Sequence, residues 1–465
     1  QQTGWTIQTI PCSCVSVPTD GYRPIAQGLE LAFVQLERGQ EALDWLLANA
    51  GLLRAHLQAE GAGRGLVLLN SVAQAAQAVS LLQELLKGVL VREISGRMDR
   101  QQRAETQALL RDAPQPVLVI GTSAVDVGVD FRIHLLITES SDAATVIQRL
   151  GRLGRHPGFS AYHAYVLISG STPWVMARLQ QQLQAEQVVE RSEFVAAIQE
   201  AFDPPRAFPE YQQRWGALQA QGLLWQMGSE NQAVMQPIRQ RLVEDFQKLY
   251  GSGVQPWLGA WRDLEKTDVG RAVQQELLRF RGGTTLQAAV WDGESFYTYD
   301  LLRLLPYVQV DVLSRENFLQ AAARAGWSEL AFPEPWIHLY VRVQRWETER
   351  LPWTLRCNHH TDDLAVGELT LLSRVSVQDH PQDRAINRVL ARQKLLGFLV
   401  PLTAQQSPFD VRRHLHLSPL FGLYLLHDGD NQRFACAFNQ DALLLEALKR
   451  RLAPFLKTHR PSLIF

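Results

Sequence analysis

The chain has 465 residues, of which 46% are hydrophobic and 20% charged, and its formal net charge is −1. This composition is typical of a globular protein of about two to four domains, and it excludes a polycation that binds nucleic acid through its overall charge. No apolar run reaches the roughly 20 residues that a membrane helix needs, and no secretory signal is visible.

The first 27 residues are rich in turn-forming residues and show neither a helical nor a strand period. We interpret residues 1–27 as a connection that follows another part of a longer protein. The four cysteines of the chain are too few and too scattered for a disulfide scaffold. We therefore expect reduced thiols and a cytoplasmic protein.

Residues 28–172 alternate short apolar runs with segments whose apolar residues recur every three or four positions. This alternation predicts an α/β fold, with a mainly parallel sheet covered by helices on both faces. The expected strands are LELAFVQL, GLVLLN, LVREIS, PVLVIG, IHLLIT and AYVLI. In such folds the ligand crevice lies at the carboxyl ends of the strands.

Residues 173–280 are polar and helical in period, which indicates a helical linker region. Residues 281–465 return to strand patterns and predict an α+β accessory domain. There WIHLYVRVQRW alternates with period two, and FGLYLLHDGDNQRFACAF predicts two strands joined by an Asp-Gly turn. The segment RHLHLSP, with His414 and His416, also alternates and is expected to be a surface strand.

A cluster of arginines follows the fifth predicted strand, in the segment VIQRLGRLGRHPGF. A serine or aspartate can cap a short helix there, and Gly151 and Gly154 can end it. Arg152 and Arg155 then emerge from a loop in which glycines leave room for another surface. Planar guanidinium groups in this arrangement suit phosphate oxygens and can stabilise charge on a phosphoryl group during its transfer.

The segment GTSAVDVGVDF follows the fourth predicted strand. Thr122 and Ser123 stand where a helix begins, so their hydroxyl groups and free N–H groups can bind a backbone phosphate. Gly128 permits close approach of a ligand. Asp130 can accept a hydrogen bond from a ribose hydroxyl group or from an arginine.

Two further strand ends carry polar residues. Asn70 and Ser71 end the strand in GLVLLNSV and open a helix. Gly96 and Arg97 follow the strand in REISGRMDRQQR, where the arginine can reach a phosphate.

The order of LVLLNSV, ISGRMDRQQR, GTSAVDVGVDF and QRLGRLGRH resembles the motifs of the second RecA-like lobe of superfamily 2 helicases, over residues 60–170. Within that superfamily, the stretch 122–160 and the long tail most resemble the helicase subunit of type I CRISPR systems. The cyanobacterial type I-D kind, in which helicase and nuclease are separate chains, is the most similar.

This resemblance implies that Arg152 and Arg155 are arginine fingers that reach the γ-phosphate of ATP on a first RecA-like lobe. A second group is expected to couple the nucleotide to the lobe interface: Gln148, Arg149, Gly128 and Asp130. A third group is expected to contact single-stranded DNA: Asn70, Ser71, Gly96, Arg97, Thr122 and Ser123. The implied partners are ATP, Mg²⁺, the first lobe, a CRISPR effector complex and a separate nuclease subunit.

The 465 residues contain no G-x-x-x-x-G-K-[ST] loop and no Asp-Glu box for Mg²⁺. We therefore expect that this chain alone does not hydrolyse ATP, and that a first lobe upstream or on another polypeptide holds the nucleotide. The alternatives are a repair or RNA helicase of the same superfamily and a non-hydrolysing module that binds or docks on nucleic acid.

Two histidine-containing segments resemble metal sites only superficially. His427 and Asp428 lie beside an Asp-Gly turn, whereas the metal-binding pair of HD nucleases lies in a helical domain. The segment with Cys357, His359 and His360 matches no zinc framework, and a polar loop is the better interpretation. We predict no metal site in this chain.

Overall fold

The computed structural model covers the whole chain, and it describes residues 27–95, 106, 108, 113–122, 132–202, 207–227, 232–251, 255–279, 286–293, 295–334, 336–347 and 349–456. None of the helices among these residues has the length and apolar character needed to cross a bilayer.

The amino-terminal lobe is built on a six-stranded sheet in which every neighbouring pair is parallel. Its strands are β1 (Glu30–Gln35), β2 (Arg64–Leu68), β3 (Leu90–Ile94), β4 (Val117–Gly121), β5 (Leu135–Glu139) and β6 (His163–Ile168). Their order across the sheet is β1-β6-β5-β2-β4-β3. All six predicted strands are present, and the hydrophobic runs of β2 and β4 are buried throughout, as a sheet covered on both faces requires.

Helices cover both faces of this sheet, and two separate hydrophobic clusters form on its two sides. The described helices of the lobe are α1 (Ala42–Ala48), α2 (Ala50–Ala59), α3 (Val72–Leu85) and α4 (Ala143–Leu150). Side chains cap two of them, since Ser71 accepts from the Gln74 N–H and Asp142 from the Thr145 N–H. These caps place the start of each helix at the carboxyl end of a strand.

Residues 173–278 form helices joined by loops where the structure describes them. The helices are α5 (Pro173–Gln182), α6 (Arg191–Ala201), α7 (Ala207–Tyr211), α8 (Ala217–Met227), α9 (Gln232–Tyr250), α10 (Gln255–Glu265) and α11 (Asp268–Leu278), with a π-helical turn at Gln212–Gly216. Trp261 is 2% exposed and packs inside this region, so it belongs to the core.

The carboxyl-terminal part contains two mixed sheets. The first has the order β8-β7-β10-β9 and the second the order β12-β14-β16-β15-β11-β13. The strands are β7 (Gln287–Asp292), β8 (Ser295–Asp300), β9 (Val308–Leu313), β10 (Leu339–Trp346), β11 (Thr354–Cys357), β12 (Leu369–Ser373), β13 (Val375–Gln378), β14 (Lys394–Leu402), β15 (Tyr424–His427) and β16 (Arg433–Phe438). The helices are α12 (Leu301–Leu304), α13 (Arg315–Arg324), α14 (Asp383–Leu390), α15 (Pro408–Leu415), α16 (Asn439–Ala447) and α17 (Ala453–Leu456).

The predicted fold class is confirmed: a parallel α/β lobe, a helical region and an α+β part follow one another. The hairpin predicted around the Asp-Gly turn is also present, because β15 and β16 pair antiparallel. We refer below to residues 286–456 as the accessory domain.

The expectation of a strand in RHLHLSP is wrong. Helix α15 takes up the first three residues of this segment and ends at Leu415, and the following His416 has a φ of 52°, in the left-handed region. Ser407 and Asp410 form a capping box at the start of the helix. The local cap and the burial of Val411 and Leu415 on one helical face outweigh the period-two alternation.

The accessory domain packs on the carboxyl edge of the parallel sheet. The Tyr299 hydroxyl group accepts a hydrogen bond from the Val72 N–H at 3.2 Å, and the Tyr307 hydroxyl group donates to Glu41. Arg350 forms an ion pair with the same Glu41 at 3.4 Å. The edge that carries the predicted strand-binding residues is therefore an internal boundary of the molecule.

Candidate nucleotide and nucleic-acid interface

The carboxyl ends of β2, β4 and β5 bring three predicted polar segments together, because β2 lies between the other two strands. The Leu69 N–H donates to the Gly121 carbonyl at 2.9 Å, which places Asn70 beside Thr122. On the other side, the Asn70 amide group donates to the Ser140 carbonyl at 3.2 Å. The three strand ends therefore lie side by side at one edge of the sheet.

Arg149 connects this edge to helix α4. The residue is 2% exposed, and its Nη1 group lies 2.9 Å from the Glu139 carbonyl, 3.3 Å from Thr138 Oγ1 and 3.3 Å from Asn70 Oδ1. A helical side chain points toward the start of its own helix, so this long side chain reaches back to the strand ends. Arg149 thus holds the position of Asn70 from within the lobe.

Glu139 is a functional candidate that the sequence analysis missed. Its carboxylate accepts a hydrogen bond from the Asn70 N–H at 2.8 Å. Burial raises the pKa of Glu139, whereas this hydrogen bond and the nearby Arg149 guanidinium oppose the shift. The only sequence signal was an acidic residue at the very end of a hydrophobic strand.

The loop after helix α4 lies away from the carboxyl edge. The Gly154 carbonyl accepts a hydrogen bond from the Gln27 N–H at 2.9 Å, and residue 27 precedes the first residue of β1. The His156 carbonyl accepts from the Tyr162 hydroxyl group at 2.8 Å, and Tyr162 immediately precedes β6. The arginine loop therefore lies on the side of the lobe opposite the carboxyl edge, because α4 runs back from that edge toward the amino ends of the strands.

The two predicted arginine fingers differ in exposure. Arg155 is exposed, and its Nε group donates to the Gly151 carbonyl at 2.7 Å, which orients the guanidinium group at the loop surface. Arg152 is only 8% exposed. Gln148 lies exposed on the preceding turn of α4. In this arrangement Arg155 is the guanidinium available to a partner surface, and the finger role of both arginines stays a prediction.

Gly154 gives the loop its shape. Its φ is 72°, a left-handed conformation that favours glycine, and a Cβ atom there would lie 3.0 Å from the Gln27 nitrogen. Gly151 adopts a right-handed conformation at the end of the helix, with φ of −63°. Only one of the two glycines is therefore required by the backbone conformation.

Ser71 is less accessible than the sequence suggested. Its Oγ atom accepts from the Gln74 N–H at 3.3 Å, and the Tyr299 hydroxyl group of the accessory domain lies 3.5 Å away. Burial raises the pKa of Tyr299, so its hydroxyl group stays protonated. A strand at Ser71 would have to share this position with the tyrosine.

Thr122 follows β4 directly and is 5% exposed. Five predicted site residues lie outside the residues that the structure describes. They are Gly96, Arg97, Ser123, Gly128 and Asp130.

Among the described residues, no group of three histidine, cysteine or acidic side chains is arranged to hold a metal ion. The loop at 357–363 is held instead by hydrogen bonds and an ion pair. His359 Nε2 lies 2.9 Å from Ser373 Oγ, and His360 pairs with Asp430 at 2.9 Å. Cys357 is 1% exposed, and burial raises the pKa of its thiol group. These side chains point to different partners, as a polar loop requires.

The family comparison covers the region built above. Residues 61–158 match the family described as CRISPR-associated nuclease/helicase Cas3, C-terminal. The match includes the Asn70 strand end, the segment after β4 and the complete arginine loop. Over these residues the match agrees with the superfamily 2 helicase lobe expected from the motifs, and the parallel-sheet lobe is RecA-like in fold. The type I-D assignment stays a prediction.

Among curated proteins, none matches the chain significantly. The solved structures that are similar to it include T. fusca Cas3, at 15% identity over 61% of this chain and 33% of that one, with a TM-score of 0.29. The E. coli DEAD-box protein SrmB bound to the regulator RraA is 17% identical over 35% of this chain and 92% of that one, with a TM-score of 0.28. The chain spans about a third of the length of the Cas3 structure.

Proposed function

We propose that this chain is the C-terminal part of an ATP-dependent translocase or helicase that acts on single-stranded DNA in CRISPR interference. The observation that carries the proposal is the family match over residues 61–158, which contains both the polar strand ends and the arginine loop. ATP is the substrate of this activity, and a first RecA-like lobe would hold its phosphates.

The geometry supports a division of labour between two sides of the lobe. The carboxyl edge, with Asn70 and Thr122, would take the strand backbone, and the accessory domain that covers this edge would have to make room for it. The arginine loop, with Arg155 exposed, faces away from that edge and can meet a nucleotide on a second lobe. Arg149 contacts the strand ends from the helix that carries the loop, so a movement of the loop can alter the grip on the strand.

The chemistry assigned to Arg155 is electrostatic. A guanidinium group carries a permanent positive charge and can form two parallel hydrogen bonds to phosphate oxygens. It would stabilise the charge that develops on the γ-phosphoryl group during its transfer to water. The described residues supply no acidic cluster for Mg²⁺, so no step of the proposal places that ion on this chain.

The test is Arg155→Ala, alone and with Arg152→Ala, in a protein that contains both lobes. Loss of an arginine finger lowers ATP turnover by about 10³-fold or more, and strand binding at low salt should persist because its phosphate contacts lie elsewhere. Arg132→Ala is the matched control, since Arg132 is exposed close to the same loop but stacks on Phe159. Strand-stimulated ATP turnover and oligonucleotide affinity are measured in parallel.

Turnover that survives Arg155→Ala would remove the finger assignment. A wild-type protein that binds strands but never hydrolyses ATP would favour the non-hydrolysing docking module. Stimulation by RNA rather than DNA would favour the RNA helicase. Each alternative therefore has its own result in the same set of assays.

A further inference from the structure

Residues 156–162 lead from Arg155, at the surface of the arginine loop, to the first residue of β6, which is His163. We refer to them as the return segment. None of them was expected to take part in the chemistry. Their contacts nevertheless determine how firmly the backbone on the carboxyl side of Arg155 is held.

Hydrogen bonds fix the backbone on both sides of Arg155. On its amino side, the Gly154 carbonyl accepts from the Gln27 N–H at 2.9 Å. On its carboxyl side, the His156 carbonyl accepts from the Tyr162 hydroxyl group at 2.8 Å. The exposed guanidinium therefore extends from a residue whose two immediate neighbours are both anchored to the lobe.

Tyr162 is held by the core of the lobe. It is 6% exposed and belongs to the hydrophobic cluster on one face of the parallel sheet. Its ring packs edge to face on Phe159, with the ring centres 6.0 Å apart and the planes at 86°. The hydroxyl group that reaches the His156 carbonyl thus comes from a rigid part of the structure.

Phe159 connects the return segment to a buried histidine. Its ring centre lies 4.6 Å from that of His134, at an interplanar angle of 31°. His134 is 1% exposed; its Nδ1 accepts from the Arg64 N–H at 3.1 Å, so its Nε2 carries the hydrogen and donates to the His56 carbonyl at 3.2 Å. Because a rotation of this ring would break both backbone hydrogen bonds, His134 gives Phe159 a fixed surface.

Glu60 holds the return segment from the side of helix α2. It directly follows the last residue of that helix. Its carboxylate accepts from the Ser160 N–H at 2.9 Å, from the Ser160 hydroxyl group and from the Ala161 N–H at 3.4 Å. The hydrogen bond from the Ser160 hydroxyl group is the main cause that lowers the pKa of Glu60, so the carboxylate stays charged at neutral pH.

Arg132 also contacts Phe159, but from an exposed position. Its guanidinium lies 5.1 Å from the ring centre, and its Nη2 group donates to the Gly158 carbonyl at 3.3 Å. Water competes for such exposed contacts, so they are weak. Replacement of Arg132 by alanine leaves the contacts of His134, Glu60 and Tyr162 in place, as its use as a control requires.

We propose that Tyr162 is a positioning residue for Arg155. Phe159 and Glu60 support it by fixing the return segment. The inference rests on the proposed function, in which Arg155 meets a phosphate on a second lobe. A displacement of about 1 Å can remove most of the effect of a catalytic charge. Tyr162 is buried and acts through the His156 backbone, so its role is to hold the chain from which the guanidinium extends.

The sharpest test is Tyr162→Phe, which removes one hydroxyl group and keeps the buried ring. In a protein that contains both lobes, kcat for strand-stimulated ATP hydrolysis should fall about fivefold, whereas KM for ATP and the affinity for an oligothymidine strand should not change. Tyr165→Phe is the matched control. Its hydroxyl group lies 3.0 Å from His56 Nε2 on helix α2, so its removal should leave kcat unchanged.

Graded variants test the support of the segment. Phe159→Ala should lower kcat by about tenfold, and Phe159→Tyr should restore most of it because an aromatic ring still stacks on His134. Glu60→Gln should have a smaller effect than Glu60→Ala, since the amide keeps one acceptor oxygen. Amide hydrogen exchange of residues 155–158 should become faster in the same order as kcat falls.

A double-mutant cycle separates positioning from a general effect on folding. In an Arg155→Ala background, Tyr162→Phe should cause no further loss of turnover, because no guanidinium is left to position. A purely structural role would lower turnover by the same factor in both backgrounds. That result would overturn the proposal.

Two other results also overturn it, and they differ in what they say of the proposed function. If Arg155→Ala abolishes turnover while Tyr162→Phe retains the wild-type kcat, the positioning role is wrong and the proposed function survives. If the wild-type protein with both lobes never hydrolyses ATP, the proposed function fails together with the positioning role.

Discussion

The carboxyl edge of the sheet and the loop after helix α4 carry the two halves of the same motif set, yet their environments are opposite. At the edge, Asn70, Arg149 and Glu139 form an internal network that the accessory domain covers. In the loop, Arg155 is exposed beside the amino ends of β1 and β6. Arginines six residues apart thus serve different purposes, one in the interior and one at the surface.

This difference shows how a short helix separates two groups of candidate residues. Helix α4 is eight residues long, which corresponds to about 12 Å, enough to carry the chain from one edge of the sheet to the other. The proposed strand-binding groups and the exposed guanidinium therefore lie on different sides of the lobe, and one helix connects them.

The largest expected difference between the carboxyl edge and the loop appears when Arg149 and Arg155 are each replaced by alanine. Arg149→Ala should destabilise the chain by about 3–5 kcal/mol, because it deletes three hydrogen bonds and leaves buried acceptors and Glu139 without their cation. Arg155→Ala should change stability by less than about 0.5 kcal/mol, as at other exposed sites. Urea unfolding followed by circular dichroism gives both values. Equal losses would show that the two environments do not differ.

A second test uses pH to loosen the cover over the carboxyl edge. His338 lies within the accessory domain, where its Nδ1–H donates to Gln393 Oε1 at 2.8 Å and Nε2 accepts from the Asn439 amide group at 3.2 Å. Burial lowers the pKa of His338 from 6.5 to about 4. The folded form therefore favours the neutral ring, and the unfolded chain binds more protons between these two values.

The contribution of neutral His338 to the free energy of unfolding is complete above about pH 6.5. It declines as the pH falls toward about 4, by at most about 3 kcal/mol. The melting temperature should fall on acidification from about pH 7.5 to about pH 5, and the Val72 amide should exchange faster as Tyr299 releases it. His338→Gln should reduce this pH dependence, and His414→Gln, at an exposed ring, serves as control. An unchanged pH profile in His338→Gln would exclude His338 as its source.

The smallest effect concerns the shape of the arginine loop. Gly154→Ala should cost about 1–2 kcal/mol, because alanine disfavours a positive φ and its Cβ atom would crowd residue 27. Gly151→Ala, at a right-handed position in the same loop, should cost less than about 0.5 kcal/mol. Thermal unfolding of both variants checks the comparison, and a reversed order would contradict the loop geometry described above.

Sequence patterns predicted the parallel lobe well, for a local reason. The strands there are short and mostly apolar, and Ser71 and Asp142 cap two of the described helices, so hydrophobic period and caps predict the same elements. The accessory domain was harder to predict. In RHLHLSP a period-two pattern competed with a capping box, and the helix prevailed through burial that only the folded chain provides.

The sequence by itself indicated which residues are candidates for the chemistry: the polar strand ends, the three arginines and the glycines between them. Only the tertiary structure decided where each of them lies. Burial of Arg149, exposure of Arg155 and coverage of Ser71 by Tyr299 depend on the direction of a helix and on the docking of a distant domain. Such contacts join residues far apart in the chain, and the hydrophobic period of a local segment does not predict them.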